Sequence, residues 1–217
     1  MQLNDPAPWR EAAQAFWAWL FEHQAELDAL RSPDDVFWDE LLLRLQALDD
    51  GLWFEVSSAE VSPRELVITA QGDVDLFDKV ETLVALASPL TGWRVVALKP
   101  PLGFDFGIRY QGIELQPAEL WFQPLLDEDA PHMLGLRIAV PGFIAEMEEE
   151  FDSGVLIVLD TALGERAAAT EVELLEVCEL PAHPPEEGFF PLPELLGYLA
   201  WRQQQMRPGQ GGSGQVH

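Results

Sequence analysis

The chain is 217 residues long and sets 38 Asp and Glu against 12 Lys and Arg, a formal net charge of −26. Nucleic acid and anionic membranes carry the same sign and are bound through clustered Lys and Arg, which the chain lacks, so neither is an expected ligand and a basic protein is the favoured partner. A single cysteine, Cys178, excludes an internal disulfide and a cysteine zinc site, and eight Trp with twelve Phe exclude a disordered chain.

The first stretch has no basic region leading into an apolar one, and no run reaches the ~20 apolar residues of a membrane span, so a cytoplasmic protein is expected. Trp9, Ala13, Phe16, Leu20 and Leu27 recur at helical spacing, widened by Trp17 and Phe21, and Asn4, Asp5, Pro6 and Pro8 suit a helix entry. Trp19 falls off that face. Ser32 and Asp35 form a variant capping box ahead of a second helix with Phe37, Leu41, Leu45 and Leu48 on its inner row. The two helices form an expected αα-hairpin.

The period then changes. Leu52–Ser57 and Glu65–Ala70 read as a β-hairpin, followed by a helix through Phe77, Val80, Val84 and Ala87, and by a strand at Trp93–Leu98. Phe104–Tyr110 and Ile113–Leu115 suit a small hairpin. Glu119–Gln123 pairs with Met133–Val140 across an acidic turn, Phe143–Phe151 suits a short helix, Val155–Asp160 reads as an apolar strand, and Glu171–Leu180 alternates as another. Leu192, Leu195, Leu196 and Leu199 predict a closing helix.

The expected architecture is α+β, a largely antiparallel sheet with an N-terminal helical hairpin and a C-terminal helix. One domain over 1–207 holds the hairpin (1–50), a β-rich body (51–180) and the last helix (190–207), with a disordered tail at 208–217. Hairpin, helix and strand succeed one another twice, which suggests two similar β-rich halves.

Few motifs carry chemistry. Gly209, Gly211 and Gly214 satisfy a dinucleotide-loop text pattern without the strand and helix that it needs. Asp73, Asp75 and Asp78 lack the glycine and glutamate of a calcium loop and fit an acidic helix start. His23, His132, His183 and His217 have no metal-ligand spacing. No metal or other cofactor is expected. Cys178 sits in an alternating apolar segment as a small hydrophobe. Glu146, Glu148, Glu149, Glu150 and Asp152 form the densest acidic run, extended by Asp127, Glu128 and Asp129. They read either as a solvated helix face or as a docking patch for a basic partner. The aromatic residues read mostly as core, with an exposed aromatic surface as the alternative.

The chain resembles a family of uncharacterised bacterial proteins, loosely of the immunity-protein kind. The resemblance rests on Phe16-Trp17-Ala18-Trp19, Glu65 to Thr69 with Gly72, Gly92-Trp93 leading into Val95 to Lys99, Ile108 to Gly112, and Leu159-Asp160 with Leu163-Gly164-Glu165. It implies no activity. Asp160, ending a strand or capping a short helix over 161–166, and Glu165, following a glycine turn, are candidates for facing a cleft. The favoured function is a non-enzymatic acidic binding protein, an immunity protein, inhibitor or adaptor docking a basic partner. The alternative is a hydrolase whose carboxylates meet only in the fold. Oligomeric state is not legible in the sequence.

Overall fold

The apolar spacing of the first fifty residues resolves into three helices rather than two: α1 (Pro6–Glu22), α2 (Gln24–Ala29) and α3 (Val36–Gln46). A computed structural model of the chain describes residues 6–32, 34–126 and 133–206. The acidic turn Asp127-Glu128-Asp129, His132 and the glycine-rich tail lie outside the described residues. The break between α1 and α2 falls at His23, whose ring Nδ1 lies 2.8 Å from the Trp19 carbonyl, four residues back. The expected capping box is rearranged. Asp35 turns its carboxylate back to accept the Arg31 and Ser32 amides, and the Ser32 hydroxyl accepts the Asp34 amide.

Trp19, off the apolar stripe of α1, is nevertheless buried. Phe37 of α3 stacks on it at 5.4 Å and 15°, and the Arg44 guanidinium lies 4.3 Å from its ring. Trp17, fully covered, donates its indole N–H to the Leu83 carbonyl at 2.7 Å. The core reading of these aromatics holds in the first helix.

The chain divides into two compact units, Met1–Pro101 with Gly164–Thr170, and Leu102–Leu163 with Glu171–His217. In the first, β1 (Trp53–Val56) runs antiparallel to β2 (Arg64–Thr69), pairing Phe54 with Ile68. A 3-10 turn at Val74–Leu76 leads into α4 (Phe77–Ala85), which returns the chain to β3 (Trp93–Ala97), parallel to β2 with Leu66 opposite Val95. As the central strand, β2 is buried on both faces from Leu66 to Thr69. The segment α6 (Glu165–Glu171) comes from far along the chain. Arg166 pairs with Glu81 at 2.6 Å and lies over the Phe77 ring, tying α6 to α4.

The second unit holds a hairpin of β4 (Ile108–Tyr110) and β5 (Ile113–Leu115), and a four-stranded sheet in the order β8-β7-β6-β9. Here β6 (Trp121–Leu125) is antiparallel to β7 (Gly135–Val140) and to β9 (Phe190–Pro191), while β8 (Leu174–Glu179) is parallel to β7. The crossover from β7 to β8 begins with a 3-10 turn, Ala145–Met147, and α5 (Glu148–Leu163), and a last helix, α7 (Leu195–Met206), follows β9. The fold is α+β, and each unit repeats one succession: an antiparallel strand pair, a 3-10 turn, a helix, and a strand parallel to the second of the pair.

The largest departure from expectation lies in the second unit. Val155–Asp160 is not a strand but the middle of α5, and the expected helices at 143–151 and 161–166 are replaced by α5 and α6. Phe151, Val155, Val158, Leu159 and Ala162 are buried at helical spacing, and Gly154 lets the helix close on β5, where an added Cβ would stand 2.9 Å from Ile113 Cδ1 and Leu115 Cδ1. A short β-branched run fits either period, and the packing partner chose the helix.

Candidate functional site

The acidic run opens α5. Glu148, Glu149 and Glu150 form its first turn, where they meet the positive end of the helix dipole. Phe143, just upstream, packs on Phe151 at 5.1 Å and pins the entry of the helix, so mutual repulsion among the carboxylates does not unravel it. Glu146, Glu148, Glu149 and Asp152 are exposed and Glu150 half-buried. No ion pair among the described residues neutralises them.

Beyond the acids, the same outer face becomes apolar. Leu156 is 56% exposed and Ile157 38% exposed, although the opposite side of the helix is fully covered. Asp152 stands one turn before Leu156 and Asp160 one turn after it, so carboxylates bracket the two aliphatic side chains on the helix surface. The helix therefore has two working faces: one packed on the sheet, and one with an apolar centre and an acidic rim.

Asp160 does not end a strand or cap a helix. It lies in the last turn of α5, half-buried. Glu165 faces no cleft: it is 0% exposed. Its Oε1 accepts the Ala70 and Gly72 amides at 2.9 and 3.0 Å, and its Oε2 accepts the Thr69 hydroxyl at 2.7 Å and the Lys99 amide at 3.0 Å. Four donors fill the four lone-pair positions of a carboxylate. A general base or nucleophile needs one of them free, so the arrangement serves to hold the chain rather than to react. Gln71 (φ +53°) and Leu98 (φ +60°) are left-handed on either side of the donors, which turns successive amides toward one point.

Gly164 makes this approach possible. At φ +79°, an added Cβ would stand 2.8 Å from the Pro101 nitrogen and 3.0 Å from the Lys99 carbonyl, which itself accepts the Glu165 amide at 3.0 Å. The sequence signal was present: a glycine followed by a lone glutamate after an apolar helix. Its partners, some 66 to 96 positions away, were not visible.

Cys178 is half-buried on β8, and burial pushes its thiol pKa up, against the charge of Arg137 and with that of Glu176 and Glu187. Such a thiol is a poor nucleophile. Among the described residues no group of three or more His, Cys, Asp or Glu is placed to hold a metal ion, and no helix is long and apolar enough to cross a membrane. Compared with protein-family models, curated proteins and solved structures, the chain matches none.

Proposed function

We propose that this protein is a non-enzymatic binding module that docks a basic protein partner on the outer face of α5, as an inhibitor, immunity protein or adaptor does. The observation that carries the reading is the continuity of exposed Leu156 and Ile157 with Glu148, Glu149 and Asp152 on one helix face. A partner surface with an aliphatic or aromatic residue among Lys and Arg is its complement. Covering two half-exposed aliphatic side chains contributes about 1 kcal/mol each. The rim carboxylates add roughly 0.2–1 kcal/mol per exposed pair and act mainly on the association rate.

The test compares three forms of the full chain as bait against a lysate of the native host: wild type, Leu156→Ser with Ile157→Ser, and Glu148→Lys with Glu149→Lys and Asp152→Lys. A specific basic protein retained by wild type, purified and rebound, is expected to weaken at least about tenfold with either variant. It should also weaken in about 0.5 M salt, where charges are screened within a few Å. A partner held equally by all three forms discards this face as the docking site, and no reconstituted partner at any salt discards the reading.

A further inference from the structure

Most cations of this acidic chain stand against carboxylates, as Arg44 does against Glu40, Arg137 against Glu176 and Arg166 against Glu81. Arg31 and Arg64 do not. Both donate through Nη1 to one oxygen, the Leu30 carbonyl, at 2.7 and 3.3 Å, so two guanidinium groups meet with no carboxylate among the described residues bonded to either. Arg64 is further fixed by the Trp93 ring, 4.3 Å from its central carbon, and its covered Nε has no acceptor among the described residues. Burial and then the positive charge of Arg31 pull its pKa below the usual arginine value, an effect that Asp28 partly offsets. Two like charges held together oppose each other, and an anion between them removes that opposition.

These arginines line a groove of about 740 Å³ in the first unit, running from the entry of α3 across β1 to the β1–β2 loop. Its apolar wall is Trp38 and Phe54, with ring centroids 5.7 Å apart. Its rim carries Glu55 and Glu60. The volume lies within the range of small-molecule sites, which are commonly apolar with a few convergent polar groups.

We propose that this groove binds an aromatic monocarboxylate, its carboxylate held by Arg31 and Arg64 and its ring laid against Trp38 and Phe54. A monoanion is favoured over phosphate because Glu55, Glu60 and the charge of the whole chain oppose each further negative charge. A free aryl acid and the C-terminal carboxylate of a peptide ending in an aromatic residue share this chemistry.

Calorimetric titration of the full chain with 3-phenylpropionate, N-acetylphenylalanine, N-acetylphenylalaninamide and inorganic phosphate tests the proposal. Both acids are expected to bind, and the uncharged amide at least about tenfold more weakly. The tighter of the two acids identifies the source, free acid or peptide terminus. Arg31→Gln should cost about tenfold in acid affinity while leaving the amide unchanged. Because Arg31 also holds the Asp28 and Leu30 carbonyls, Arg31→Lys is measured beside it. Keeping the charge without the planar fork, it should bind the acids more weakly than wild type and more tightly than Arg31→Gln. Amide binding as tight as acid binding, phosphate binding tighter than both acids, or no saturable signal up to ~10 mM acid overturns the assignment.

Discussion

Helices α4 and α5 make the same connection in the two units, yet negative charge is handled in opposite ways around them. The end of β2 and the turn before α4 import the carboxylate of Glu165 and supply three of its four donors, the Lys99 amide after β3 being the fourth. The turn before α5 takes in none, and Glu148, Glu149 and Asp152 remain outside. The backbone explains the contrast. After β2 the first residue is Ala70, whose amide donates to Glu165, whereas after β7 it is Pro141, which has no amide to offer. A carboxylate is buried where amides converge and displayed where they do not, whatever the charge of its own segment.

The comparison breaks most sharply at Glu165. Glu165→Ala strips the shared acceptor from three backbone amides and a hydroxyl, and about 3–5 kcal/mol of stability should be lost in urea unfolding followed by tryptophan fluorescence. Glu165→Gln, which keeps one acceptor oxygen, should lose less. A loss under about 1 kcal/mol for the alanine variant shows that the nest does not depend on its carboxylate. Next comes Gly164→Ala, which forces a side chain into a left-handed conformation and against the Pro101 and Lys99 backbone; roughly 2–4 kcal/mol is expected in the same assay.

A smaller effect sharpens the same contrast at a second carboxylate of the first unit. Burial alone raises the Asp49 carboxyl, but the bonded Lys79 ammonium and the Gly51 amide outweigh it and leave its pKa below the usual value. The folded state then holds fewer protons on this group than the unfolded chain. Its contribution is present above the unfolded pKa of about 3.9 and disappears as pH falls through the lower folded value. Asp49→Asn should cost about 1 kcal/mol at pH 7. The difference between variant and wild type should narrow when denaturation is repeated at pH values falling below about 4. The smallest change belongs to the displayed acids: Glu148→Gln with Glu149→Gln and Glu150→Gln should leave stability within about 0.5 kcal/mol of wild type, because relief of repulsion offsets the lost helix-dipole term. A loss as large as that of Glu165→Ala would erase the distinction between the two turns.

The periods in the sequence were sufficient for the β1–β2 hairpin, α4, β3 and the closing helix, because the apolar residues of each fit one element and turn residues bound it, whereas the spacing of the first segment runs on to Leu27 and does not mark the break at His23. The acidic opening of α5 was equally legible, since exposed charge depends on little beyond its own segment. Val155–Asp160 misled because a six-residue apolar run satisfies strand and helix alike, and only β5 closing on Gly154 distinguishes them. Trp19 was assigned by the arrival of Phe37 and Arg44. The burial of Glu165 and the meeting of Arg31 with Arg64 were tertiary decisions for the same reason. A polar group takes its role from the donors or charges that surround it, and here those come from strands, turns and a loop that local sequence does not place side by side.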